Sequence, residues 1–207
     1  MPSELYTQFA TIAALHLFAV MSPGPDFALI MRQSIIYGRK ASIVTSIGIG
    51  IGILFHIFYC IIGLGYIISE HESLFIIIKL TGAFYLIFIG YKSLTTKSEI
   101  KIDKKTNDIS PSVFISFTTG FLTNILNPKA TLFFLSLYTF IVNEQSNFTI
   151  QLFYGIWMSA VTTLWFCLLS IILTNEKFTR NINKFSFYTQ NATAIMLIII
   201  GIRLLIK

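Results

Sequence analysis

Ser22-Pro23-Gly24-Pro25-Asp26 interrupts an apolar run extending from Leu5 to Met31, and Asn127-Pro128-Lys129 interrupts a second extending from Val113 to Val142. A proline removes a backbone donor and its ring clashes with the preceding turn. Neither run can therefore be one unbroken helix, and each break places a charged side chain inside a stretch that is otherwise greasy.

A bilayer-crossing helix needs about 20 mostly apolar residues. Besides the two broken runs, Ser42–Ile68, Leu74–Leu94, Ile150–Thr174 and Phe185–Ile206 meet this length, making six segments. The sixth contains Gln190 and Asn191, with Arg203 near its end, where a long basic side chain can snorkel to the interface. The runs are apolar all round rather than striped, which fits lipid and bundle rather than an amphipathic soluble helix. They lack the alternation of a transmembrane barrel. The composition agrees: the 207 residues are 55% hydrophobic and 12% charged, with a mean hydropathy of +0.76, whereas soluble domains are about a quarter charged.

The net charge of +6 and pI of about 9.3 would point to nucleic acid in a soluble chain. Here the charge lies between apolar runs, so it reads as membrane orientation, with the lipid bilayer as partner and no nucleic acid. Eleven of the fifteen Lys and Arg fall in three links: Arg32, Arg39 and Lys40 after the first segment; Lys92, Lys97, Lys101, Lys104 and Lys105 after the third; Lys177, Arg180 and Lys184 after the fifth. The other links carry Glu70, Glu72 and Glu144. The basic links are expected on the cytoplasmic side and both termini outside. The stretch before the first apolar run holds Glu4 and no Lys or Arg, unlike the basic start of a signal peptide.

These features predict an all-α integral membrane protein with residues 1–207 as one transmembrane domain. Repeat one covers about 1–96, a cytoplasmic loop about 97–112 and repeat two about 113–207. Ser110 followed by Pro111 reads as the cap and first turn of the second half. Three segments per half means the halves insert upside down relative to each other, as in the inverted repeats of secondary transporters. The broken helices are the first and the fourth, which is where a two-fold repeat would put them.

Superposing the breaks sets Pro25-Asp26-Phe27 on Pro128-Lys129-Ala130, an acid in one half against a base in the other. A charge in hydrocarbon costs about 2.5–3.5 kcal/mol and needs a partner or a water path. Ser22 and Asn127 are good N-caps and Pro23 and Pro128 suit a first helical position. Each break is thus expected to open a half-helix whose N–H groups and positive dipole end face a carboxylate. The expected substrate-binding or coupling set is Ser22, Pro23, Gly24, Pro25, Asp26, Asn124, Asn127, Pro128 and Lys129. Asp26 is the candidate for the cargo's ammonium and for a coupling proton, and Lys129 for its carboxylate. Asn124 is read either as a partner for freed backbone groups or as a cargo contact.

Gly48 and Gly52 form a small-residue face for close helix packing, and their segment is also a candidate to line the cavity. His16 and His56, flanked by apolar residues, are read as packed or interfacial, with a proton path as the alternative. His71 lies between Glu70 and Glu72 in an outer link. Cys60 and Cys167 occupy corresponding segments of the two halves without a Cys-x-x-Cys spacing, so burial is expected, with a thiol-disulfide electron carrier as the alternative. No phosphate-binding loop, metal-ligand cluster or nucleophile-base set is visible, so no cofactor, resident metal or catalytic residue is expected.

Ser22-Pro23-Gly24-Pro25-Asp26, followed by Arg32, Gly38-Arg39-Lys40-Ala41 and a glycine-rich second segment, resembles the lysine exporter and homoserine/threonine exporter (LysE/RhtB) family. So does Gly120-Phe121-Leu122-Thr123-Asn124-Ile125-Leu126-Asn127-Pro128-Lys129-Ala130. The resemblance covers nearly the whole chain, although 20 Phe and many Ile stand where Ala and Leu would be usual. It implies a transporter rather than an enzyme, exporting an amino acid or derivative across the bacterial plasma membrane and driven by protons. Efflux of a metal cation or other small ion is the competing transport reading. Both a single chain and a homodimer are open at this length.

Overall fold

The computed structural model describes residues 2–70, 72–95, 110–141, 147–174 and 182–206. Among them run eight helices: α1 (Pro2–Met21), α2 (Pro25–Ile36), α3 (Gly38–Glu70), α4 (Glu72–Thr95), α5 (Val113–Ile125), α6 (Pro128–Ile141), α7 (Phe148–Leu173) and α8 (Ile182–Ile206).

Four of these hold stretches of 20 to 26 residues long and apolar enough to cross a bilayer, in α3, α4, α7 and α8. The helices α1 and α2 meet at 52° across their break and together are long enough for a fifth crossing. The helices α5 and α6 have only 13 and 14 residues, each too short alone. Large apolar side chains face outward, with Phe114 at 74%, Leu164 at 68% and Phe58 at 64% exposure. Surface of this kind needs lipid rather than water, and the chain is a multi-pass membrane protein.

The helix α3 is central, packed against α5 and α7, while α4 packs against α8. The α3–α5 seam is a close backbone approach. A Cβ on Gly48 would lie 2.2 Å from the Phe117 carbonyl oxygen, and one on Gly120 would lie 2.1 Å from that of Thr45. Each helix thus uses a glycine to admit the other's backbone. One buried apolar cluster, including Ile12, Ile53, Phe134, Tyr138 and Met158, joins α1, α3, α6 and α7. A second, including Phe27, Ile30, Ile49 and Phe166, joins α2, α3 and α7. The helix α1 packs against α7 and α8, and α2 against α3 and α7, so the two halves of the bent pair share α7.

Polar groups inside the bundle bond across helices, as burial demands. Ser159 donates to the Gly50 carbonyl at 2.7 Å, and Thr193 to that of Phe18 at 2.8 Å. Gln190, a polar residue of the sixth segment, donates to the Ser93 carbonyl, tying α8 to α4. Ser110 donates to the Tyr37 carbonyl at 3.5 Å. This last contact brings the described end of the central link beside the end of α2. Lys97, Lys101, Lys104, Lys105, Lys177 and Arg180 lie outside the described residues, as do His71 and Glu144.

One start differs from the sequence reading. The helix α5 is capped by Ser112, whose Oγ accepts from Ile115 N at 3.2 Å, and not by Ser110. Ser112, extended at φ −61° and ψ 160°, has the non-helical backbone of a cap, and Pro111 lies outside the helix.

Candidate functional site

The two breaks come together. Lys129 Nζ donates to Ser22 Oγ at 2.7 Å and to the Pro23 carbonyl at 3.2 Å. In the other direction, Asp26 Oδ2 accepts from Asn124 Nδ2 at 2.9 Å and Asn127 Nδ2 at 3.1 Å. Asp26 and Lys129, both half-buried, do not bond to each other; Asp26 Oδ1 has no hydrogen-bond partner. The acid of the first break is held by amides of the second, and the base of the second by oxygens of the first.

Local chemistry explains how each break is built. The Ser22 N–H still bonds to Phe18 O at 3.1 Å, closing α1, and Pro23 has no N–H to continue it. The next helix starts at Pro25, whose fixed φ suits a first helical position. This corrects the expectation that Ser22 caps a helix beginning at Pro23. The capping position is Gly24, extended at φ −171°, with no side-chain cap bond. The Ser22 hydroxyl serves Lys129 instead. The lysine lies against Gly24, where a Cβ would touch its Cδ and Nζ at 3.5 Å.

At the second break Asn127 sits in the expected capping position. Its Oδ1 accepts from Lys129 N at 3.0 Å, and its carbonyl from Thr131 N at 3.0 Å. The same amide's Nδ2 holds Asp26. The start of α6 is thus capped by its own chain, which corrects the expectation that both half-helices leave N–H groups for a ligand. At the first break, by contrast, the start of α2 has no side-chain cap.

Asn124 lines the cavity between the breaks, and its amide is engaged by a carboxylate rather than by freed backbone groups. Its side chain donates to Asp26, and its Oδ1 rests against α3 where Gly52 leaves a niche; a Cβ on Gly52 would lie 2.6 Å from that oxygen. The freed Asn124 carbonyl is served by His56, whose Nε2 lies 3.0 Å away. His56 Nδ1 meets the Tyr59 hydroxyl at 2.9 Å, and that hydroxyl reaches the Thr131 carbonyl at 3.5 Å. A buried carbonyl can only accept, so Nε2 carries the proton. In that tautomer Nδ1 accepts the one proton of the Tyr59 hydroxyl, which is then not available to the Thr131 carbonyl, so His56, oriented by Tyr59, braces the break from α3 through the Asn124 carbonyl. Nothing in their apolar flanks announced this; only the spacing of three residues, which puts them on one helix face, could have paired them.

A cavity of about 60 Å³ opens between the breaks, room for several water-sized groups at about 10–15 Å³ each. Asp26, Asn127 and Lys129 line it together with Phe133, Phe134 and Phe166. The α3 wall is Ile53 rather than the glycines, so Gly48 and Gly52 act in packing and not as lining. Cys60 is buried on α3 and Cys167 half-buried on α7; both are free thiols. A carboxylate oxygen without a donor and an ammonium a short distance away can hold a small solute carrying both charges.

A helical membrane bundle in which an acid and a base, Asp26 and Lys129, stand at two facing helix breaks around a small cavity has the form of a membrane transporter rather than an enzyme. The chain belongs to the LysE type translocators: that family matches residues 17–207. It is similar to the uncharacterized membrane protein YrhP of Bacillus subtilis, with 33% identity over 192 residues, 89% of this chain and 91% of that protein. It is also similar to the threonine efflux protein of Escherichia coli, 27% identical over 204 residues, covering 96% of this chain and 98% of that one. The threonine efflux protein of Salmonella typhimurium is 29% identical over 206 residues, with the same coverage of each. No solved structure matches.

Proposed function

We propose that this chain is a secondary exporter of amino acids or their derivatives across the bacterial plasma membrane, exchanging cargo for protons. The observation that carries the reading is the meeting of two broken helices around a cavity holding Asp26 and Lys129 without a direct bond between them. A zwitterion fits that gap: its ammonium supplies the donor that Asp26 Oδ1 lacks, and its carboxylate meets Lys129 and the uncapped start of α2. Relatives named threonine efflux proteins put small polar amino acids first among the cargoes to try.

In this reading the four long helices, the bent α1–α2 pair and the α5–α6 pair make six segments in two inverted halves within a single domain. Cargo binds near mid-membrane and one half rocks against the other to expose the site to each side in turn. Asp26 is the coupling group, because ammonium and proton compete for the same carboxylate. The protein works as a single chain or a homodimer.

The test is export of labelled amino acids from cells or proteoliposomes carrying the wild type, Asp26→Asn and Lys129→Ala. The wild type is expected to move amino acids against a gradient when protons flow inward. Asp26→Asn is expected to insert normally and to abolish export. Lys129→Ala is expected to weaken cargo affinity. Wild-type export by Asp26→Asn would remove the coupling role, and rescue of cells from a metal but from no amino acid analogue would favour cation efflux.

A further inference from the structure

The cavity has two ends of unlike chemistry. Asp26, Asn127 and Lys129 form one end, at the breaks. Along α1, six residues before Ser22 and so about 9 Å away at 1.5 Å per residue, His16 also lines the wall. Its surroundings are aromatic: the rings of Phe133, Phe134 and Trp157 lie 6.5, 6.2 and 5.9 Å from its own, centre to centre. His16 is 0% exposed, its Nε2 lies 3.1 Å from Thr162 Oγ1, and its Nδ1 has no hydrogen-bond partner. Thr162, from α7, lines the same cavity. Buried polar atoms nearly always find partners, so an imidazole held by one nitrogen with the other unpaired at a cavity wall is unexplained by packing.

We propose that His16, oriented by Thr162, reads the side chain of the cargo. The assignment rests on the amino-acid export reading: with the charged groups engaged at Asp26 and Lys129, a short side chain enters the aromatic end and its polar group meets Nδ1. The Thr162 hydroxyl can donate to Nε2, leaving an N–H on Nδ1, or accept from Nε2–H, leaving Nδ1 an acceptor. The pair therefore adapts to a donor or an acceptor, and a hydroxyl satisfies either arrangement. A methyl group in its place leaves Nδ1 dry and unpaired. A site built to hydrogen-bond a hydroxyl rejects the analogue lacking it far more strongly than an apolar pocket rejects an added one. The cargo class is a short side chain bearing one hydrogen-bonding group.

Threonine and valine, equal in shape and differing by hydroxyl for methyl, are the probes, measured in competition in proteoliposomes. The wild type is expected to favour threonine at least ~10-fold. His16→Phe, which fills the aromatic end without a nitrogen, is expected to lower threonine transport but not valine transport, bringing the ratio near one. Thr162→Val, a smaller change that carries the test if His16→Phe fails to insert, is expected to reduce the ratio at least ~3-fold. A ratio unaltered in these variants, or equal loss of both amino acids, overturns the assignment while leaving amino-acid export standing. A wild type that moves neither amino acid nor any other sinks the export reading and this assignment with it.

Discussion

Asp26 and Asn124, 98 residues apart in the chain, are joined by a 2.9 Å hydrogen bond from the amide to the carboxylate. This bond links the broken first segment to the end of α5. Through Gly52 and His56 it also makes α3 part of the acidic site. The site is thus supported from a rigid seam rather than from the breaks alone.

Replacing Asn124 by Ala removes one of the two donors on Asp26 Oδ2. A hydrogen bond to a charged group contributes about 1.5–3 kcal/mol, so export is expected to fall by about one order of magnitude or more with insertion preserved. Unchanged export rates at matched protein levels would show that Asn127 alone positions the carboxylate.

Gly52→Ala tests the niche behind Asn124. The new Cβ would lie 2.6 Å from Asn124 Oδ1 and 2.9 Å from its Cβ, and the side chain must shift. The expected result is reduced export with thermal stability lowered by about 1–3 kcal/mol, the usual range for overpacking. Gly63→Ala, where the added Cβ meets nothing within 4 Å, is the control and should behave as wild type.

Gly48→Val addresses the seam itself. Its Cβ would sit 2.2 Å from a backbone oxygen of Phe117, which cannot move unless α3 and α5 part. Loss of monodisperse protein in detergent, or a large fall in melting temperature, is expected. A variant as stable as wild type would mean the two helices are not in contact there.

His56→Leu strips the Asn124 carbonyl of its imidazole donor at 3.0 Å. An unsatisfied buried acceptor costs about 1–3 kcal/mol, and the melting temperature should fall accordingly. His56→Gln, which can still donate, should recover part of the loss. Equal destabilisation by both would assign His56 to ring packing against Phe134, stacked at 5.6 Å and 11°.

Replacing Cys60 and Cys167 by Ala should leave export within about twofold of wild type, since neither thiol takes part in the site. Loss of activity in the double variant, restored by neither single one, would revive the electron-carrier alternative.

Much of the fold was legible because it rests on local rules. Runs such as Ile150–Thr174 are long enough to cross lipid and have no polar stripe, and α7 spans Phe148–Leu173 accordingly. Pro128 announced a helix start from its own geometry, and it opens α6; at the first break the expected start was Pro23, and the helix opens at Pro25. The N-cap at Ser22 misled because two prolines follow it and either one can begin a helix. Only packing against Lys129 separates them.

The amino-acid sequence by itself determined that this chain crosses a membrane as helices, that two of its segments are interrupted, and that Asp26 and Lys129 stand at the interruptions. Proline sterics and the length of an apolar run act between near neighbours, so no folded context is needed to read them. Tertiary structure alone decided that amides hold the acid, that Ser22 holds the base, that Gly52 makes room for Asn124, and that His16 and Thr162 meet in the cavity wall. Those contacts join residues up to 146 positions apart, and a helix apolar on every side does not say which face its neighbour will meet.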